Sequence, residues 1–148
     1  MAYNVKATLQ RIQGYMKASG YVKAALIGEP KAPPDTVTSA VFMSSTGVAI
    51  LTLGTTIEQH VVINRLYHEA FSNAETAELV LAEIVSEVWS DLLGEFDLGA
   101  TIRNVDAGGQ YGTGLSTRWG YVDVGGTMFR VADMTVPLVV DDSATLAA

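Results

Sequence analysis

Apolar residues recur along this chain with two periods, and each period marks its own elements. Val5, Leu9, Ile12 and Met16 stand at helical spacing behind Asn4, a capping residue type, and Gly20 supplies a stop. A short strand is expected at Ala24 to Ile27, and then comes Glu-Pro-Lys-Ala-Pro-Pro-Asp at 29–35. That run holds three of the chain's four prolines, which fix φ and remove donors, so it predicts a stiff extended loop. From Thr38 onward β-branched and aromatic residues surround Ser44-Ser-Thr-Gly47, which predicts a hairpin with strands at Ser39–Met43 and Val48–Leu53. A longer strand is expected from Ile57 to about Tyr67, with Val61, Ile63, Arg65 and Tyr67 on one face and Val62, Asn64 and Leu66 on the other.

The strongest periodicity lies between Ser72-Asn73, a cap, and Gly94. There Ala77, Leu81, Ile84, Val85, Val88, Trp89 and Leu92 form a stripe wide enough to cover a sheet, predicting a helix over Ala74 to Leu93. Strands are then expected at Thr101–Val105, Trp119–Val124 and Thr127–Val140. The last two are joined by Gly125-Gly126, a pair that tolerates the positive φ of a tight hairpin. In the final strand Phe129 and Val131 share one parity while Met134, Val136, Leu138 and Val140 take the other. That slip predicts a bulge near Ala132-Asp133, and Pro137 predicts a strand end at a sheet edge. The expected fold is α+β: an N-terminal helix, a mostly antiparallel sheet, one long helix packed across a face, and a C-terminal hairpin. Residues 1–142 are read as one domain and 143–148 as a flexible tail.

Charge adds asymmetry to this outline. The chain of 148 residues carries −7 overall, which disfavours non-specific attraction to nucleic acid or anionic membranes. Residues 1–31 hold five basic side chains against Glu29, whereas between Arg65 and Arg103 eight carboxylates face no Lys or Arg. Within the long helix Glu83, Glu87, Asp91 and Glu95 lie four apart beside the apolar stripe. Like charges at that spacing cost a few tenths of a kcal/mol per pair, about 0.2–0.5. Two readings of this row stay open, a face kept negative for a neighbour or channel and an ordinary solvated face. There is no cysteine, hence neither a disulfide framework nor a thiolate site, no apolar run suited to a bilayer, and no signal-peptide layout at the start.

The first candidate for chemistry is the stretch 106–126, DAGGQYGTGLSTRWGYVDVGG, in which seven of 21 residues are glycine. A phosphate-binding P-loop needs Gly-Lys-Ser/Thr opening a helix, but Gly114 is succeeded by Leu115-Ser116 and a strand. A dinucleotide fingerprint needs a third glycine that Gly112-Thr-Gly114 lacks. His60 and His68, the only histidines, stand eight apart with no metal-ligand spacing, and no serine sits in a Gly-x-Ser-x-Gly elbow. Thus no catalytic residue, metal site or cofactor is expected. The segment instead reads as an interaction element: Gly109, Gln110, Tyr111 and Gly112 in a loop too glycine-rich to be rigid alone, with Arg118 and Trp119 just beyond, types favoured at interface centres. The competing reading is a mobile hairpin loop with Trp119 in the core.

Several segments together resemble the tail terminator proteins of long-tailed phages infecting actinobacteria. They are Glu29-Pro-Lys-Ala-Pro-Pro34, the run from Asp91 to Val105, Gly109-Gln-Tyr-Gly112, the run from Trp119 to Gly126, and Phe129 to Asp142. The likeness spans nearly the whole chain in element order. It implies a virion protein, assembled in the host cytoplasm, that forms a homo-hexameric ring on the head-proximal end of the tail tube. Such a ring stops tube polymerisation, meets the neck or head-completion proteins, and passes DNA through its lumen. Six copies at −7 would bring about −42 to a narrow opening. The acidic row would then either repel passing phosphates or dock on a basic neighbour such as the N-terminal helix of the adjacent subunit. Alternatives from other classes are a head-completion or stopper protein, a small hydrolase built around His60 or His68, and a generic binding module.

Overall fold

A computed structural model of the chain describes residues 5–52, 55–70, 74–94 and 104–141. Its elements are α1 (Val5–Ser19), β1 (Ala24–Ile27), β2 (Thr38–Thr52), β3 (Thr55–Glu69), α2 (Ala74–Gly94), β4 (Asn104–Val105), β5 (Ser116–Val124) and β6 (Thr127–Asp141). The strands form one sheet in the order β1-β2-β3-β6-β4, with β5 also paired to β6. Every pairing is antiparallel except β1 with β2. Parallel neighbours need a connection that carries the chain back along the sheet. Here the proline-rich segment does so without a helix, and the α+β architecture with a mostly antiparallel sheet stands.

Both helices lie on one face of this sheet. Ile12 and Met16 from α1 and Leu81, Ile84, Val88 and Leu92 from α2 pack against Val41, Val62, Leu66, Ala132, Met134, Val136 and Leu138. The α1 terminus is set by Gly20, whose φ of 77° is readily reached only without a Cβ. The proposed caps Asn4, Ser72 and Asn73, the tail 143–148 and the first three residues of the expected strand 101–105 lie outside the described residues.

The opposite face is not bare. Ala40, Tyr67, Phe129 and Val131 form a second buried cluster flanked by Val122 and Val124. The Tyr67 and Phe129 rings meet edge-on at 6.1 Å. Beside it Arg65 donates to both carboxylate oxygens of Asp133, at 2.6 and 3.0 Å, and to Glu29 at 3.0 Å. Its guanidinium also lies 5.3 Å from the Phe42 ring. The bidentate pair ties β3 to β6, and the more exposed Glu29 contact reaches the start of the proline-rich loop. Further along, Pro33 reaches the β5–β6 turn, where an added Cβ on Gly125 would stand 3.0 Å from its Cδ.

Three expectations are corrected. Residues 39–52 do not form a hairpin: Ser44 to Gly47 continue β2, paired with β3, and the irregularity appears as register shifts between Met43 and Ser45 and between Val48 and Ile50. A Ser-Ser-Thr-Gly run with one glycine can bend a strand when a fifteen-residue partner, β3, holds both ends. The bulge foreseen near Ala132-Asp133 is absent, since β6 runs in unbroken register from Phe129 to Asp141 along β3. Its change of parity reflects burial on both faces: Phe129 and Val131 join the second cluster, and Ala132, Met134, Val136, Leu138 and Val140 the helix-covered core. Pro137 lies within a central strand, not at an edge. Its carbonyl accepts the Asp106 N–H at 2.9 Å, so its own nitrogen points to the same side, at the seam between β5 and β4, where no donor is missed.

Candidate functional site

The glycine-rich loop leaves the sheet at β4, where Val105 pairs with Leu138. The next residue, Asp106, is only 5% exposed and organises the loop. Its Oδ1 accepts the Gln110 N–H at 2.8 Å, and its Oδ2 accepts the Tyr111 N–H at 2.9 Å. Gln59, from β3, donates to the same Oδ2 at 3.0 Å and to the Thr113 carbonyl at 2.8 Å, while its Oε1 accepts the Thr113 N–H at 3.1 Å. Backbone bonds from Gly109 to Asp106, Gly112 to Gly109 and Leu115 to Ala107 close the remainder. Glycine is required at two points. Gly109 has φ 72° and its Cβ would stand 3.0 Å from the Gly112 carbonyl; Gly112 has φ 136° and its Cβ would stand 3.0 Å from Gln59 Oε1.

The loop is therefore scaffolded within its own chain, which corrects the expectation that so many glycines need a neighbour to order them. It is also no phosphate cradle. The amides of residues 109 to 113 and of 115 all point at acceptors of this chain, and the Asp106 carboxylate occupies the place an anion would take.

The residues expected to act together are divided by the sheet. Gln110 and Gly112 are exposed, and half-buried Tyr111 lines a shallow cleft of about 140 Å³ with Gln59 and residues 45–49 of β2. Arg118 is exposed and stands opposite Asp133, on the face away from the helices. Trp119 takes the other face, half-buried against the main core. There the Arg130 guanidinium lies 5.7 Å from Trp119 and 4.7 Å from Tyr121, and it pairs with Glu78 of α2 at 2.8 Å. Trp89 of α2 donates to the Thr117 hydroxyl at 3.0 Å.

The acidic row is likewise not uniform. Glu83 and Glu87 are exposed and flank a depression of about 300 Å³ with Tyr21, Val80 and Ile84. Asp91 is engaged: it accepts a short hydrogen bond from the Tyr15 hydroxyl and another from Tyr21 at 3.2 Å, tying α2 to the end of α1. Burial, and then the Asp91 carboxylate, push the Tyr15 phenol well above its ordinary range. Glu95 lies outside the described residues.

The two histidines stand about 27 Å apart along β3, at the rise of an extended strand. His60 is buried, its Nε2 3.6 Å from Glu58. His68 donates from Nδ1 to the Glu69 carbonyl at 2.9 Å and borders an open depression of about 280 Å³ with Lys23, Asp35 and Thr36. Among the described residues no three His, Asp or Glu side chains are grouped to hold a metal ion, and no helix is long and apolar enough to cross a membrane.

Comparison adds no relative. The chain matches no protein-family model, and no curated protein is significantly similar to it.

The remaining feature is the sheet's outline. β1 pairs with β2 only over residues 38–41, so beyond that point β2 has β3 on one side and no described strand on the other. The run from Phe42 to Thr52 contains no charged residue and no proline. Val48 is 56% and Leu51 61% exposed. At the far side β5 pairs with β6 alone. Its closing turn, with φ of 58° at Gly125 and 88° at Gly126, makes Val124 and Thr127 a hydrogen-bonded pair. By alternation the backbone groups of Thr117, Trp119, Tyr121 and Asp123 then face outward. Sequence reasoning missed the first edge because it placed a turn inside β2.

Proposed function

We propose that this chain is a structural subunit of a phage tail, forming a ring at the head-proximal end of the tail tube. There it ends tube polymerisation and joins the tail to the neck, with DNA passing through the lumen. The observation that carries the reading is the edge of β2 over residues 42–51, which among the described residues has β3 on one side and no strand on the other. Edge strands of soluble monomers are blunted by charge, proline, shortness or bulges, and this run of β2 has neither charge nor proline and is long, interrupted only by its two register shifts. A head-to-tail contact repeated round a closed ring would cover that edge in every copy with a single kind of interface. Of the segments that resemble tail terminators, 29–34 lies in the proline-rich loop, 109–112 in the scaffolded glycine loop, and 119–126 and 129–141 in the β5–β6 hairpin, while most of 91–105 lies outside the described residues. The net charge of −7 per chain suits a passage through which a polyanion must slide without sticking.

Electron microscopy of the purified protein, alone and mixed with tail tubes, tests this. Rings that cap one end of the tubes are expected. A protein that stays monomeric at high concentration and ignores tube ends refutes it, and binding to DNA-filled heads in place of tubes moves the assignment to a head-completion role.

A further inference from the structure

We infer that the free chain dimerises through its β2 edge: residues 43–51 of two copies pair antiparallel about a two-fold axis that passes through Gly47, perpendicular to the sheet. The inference goes beyond the ring reading, because it concerns the chain before assembly, and the two contacts compete for one edge. The register of β2 carries it. Along this arm Met43 stands opposite Val62, Thr46 opposite His60, Val48 opposite Glu58 and Leu51 opposite Thr56, which places all four on the helix-covered face. Register shifts between Met43 and Ser45 and between Val48 and Ile50 give these four residues spacings of three, two and three. That series is unchanged on reversal, and its midpoint is Gly47. A half-turn about the sheet normal reverses strand direction and keeps each face on its own side. It lays Met43 opposite Leu51 of the partner and Thr46 opposite the partner's Val48, with each irregular step facing one of equal length. Shifts placed unevenly along the arm would send helix-side residues of one copy against the other face of its partner.

Composition and outline agree with this pairing. Residues 44–51 are exposed, with Val48 at 56% and Leu51 at 61%. The arm carries no charge, so self-pairing sets no like charges opposite each other, and its aliphatic and β-branched pairs are favourable ones. Among the described residues eight large apolar side chains are exposed, and five of them, Leu26, Ile27, Val48, Ile50 and Leu51, lie on this side of the sheet. It is therefore the side with most to gain from leaving water. β1 selects the axis. It occupies the same edge of β2 only as far as Val41, so the paired residues 43–51 clear it. A two-fold axis along the strands would instead set β1 against its own copy and hold the two open runs three strand spacings, about 14 Å, apart.

The chain has no cysteine, so engineered thiols are unambiguous. In the proposed register the two Val48 residues are diagonal neighbours about 7–8 Å apart, whereas the two Leu51 residues are eight positions out of step, about 27 Å. With a short bis-maleimide, Val48→Cys should go over to covalent dimers and Leu51→Cys should stay a single chain. Sedimentation equilibrium should give twice 15.7 kDa for the wild type and 15.7 kDa for Val48→Lys, with unchanged far-UV circular dichroism. Mixing Val48→Lys with Val48→Glu should restore the dimer, which a misfolded variant could not do. A wild type that sediments as a single chain, a Val48→Lys protein that stays dimeric, or cross-linking of Leu51→Cys in place of Val48→Cys overturns the pairing. Rings on tube ends without a free dimer remove the pairing and leave the ring reading standing. A dimer that never caps a tube does the reverse.

Discussion

Replacing Asp106 with alanine isolates the force that shapes the glycine loop. The carboxylate accepts three hydrogen bonds, from the Gln110 and Tyr111 amides and from Gln59 Nε2. Hydrogen bonds to a charged group contribute about 1.5–3 kcal/mol each, and a donor left buried costs about 1–3 kcal/mol. The three are not equal. Gln110 is exposed and regains water, and Gln59 keeps its bond to the Thr113 carbonyl. The Tyr111 amide has no such substitute. The net loss is therefore about 2–4 kcal/mol, well short of three full bonds. For a chain of this size that lowers Tm by on the order of 10 °C. Asp106→Asn keeps the shape but turns an NH2 toward a donor, and should lose about 1–2 kcal/mol. Urea unfolding at one fixed protein concentration reads the stability, since assembly would add to it. Amide exchange at residues 110, 111 and 113 reads the loop, and should quicken in Asp106→Ala while the α2 amides stay protected. A loss under about 0.5 kcal/mol, the range of ordinary surface substitutions, with unchanged exchange at Tyr111 would refute the account.

Other consequences are equally open to measurement. Arg65→Met strands a partly buried Asp133 and should cost about 2–3 kcal/mol in urea unfolding, whereas Glu29→Gln, at the exposed end of the same cluster, should cost less than about 0.5. Gly125→Ala meets both a φ of 58° and the Pro33 ring, so it should destabilise by about 1–2 kcal/mol, more than Gly126→Ala, and Pro33→Ala should recover part of the difference. The Tyr15 phenol stays protonated in the folded chain while an unfolded tyrosine ionises near its usual value of about 10. Its contribution is thus complete below about pH 10 and is lost as pH rises beyond, so urea midpoints between about pH 8 and 11 should fall more steeply in the wild type than in Tyr15→Phe. For the acidic face, Glu83→Lys with Glu87→Lys avoids the Asp91 contact. If the chain is the tail subunit proposed above, tails that assemble but eject DNA slowly would place these residues in the lumen, failure of rings would place them at a docking surface, and no change would leave a solvated face.

Local sequence determined more of this protein than its weak chemical signature promises. The stripe from Ala77 to Leu92 predicts α2 because helical periodicity over about four turns has few other solutions, and Gly125-Gly126 predicts its hairpin because both residues must take positive φ. Gly20 ends α1 for the same reason. What the local pattern misread was decided by partners distant in the chain. Residues 44–47 look like a turn until β3 is laid beside them, and the parity change in β6 looks like a bulge until both faces of the sheet are seen to be covered. Pro137 looks like an edge until the seam between β5 and β4 shows that its missing N–H faces no acceptor. Asp106 and Gln59 are 47 residues apart, and no period links a buried carboxylate to the loop it holds. Sequence counts the glycines, but only the fold shows that the amides of residues 109 to 113 already have acceptors and that, among the described residues, β2 beyond residue 41 pairs with β3 alone.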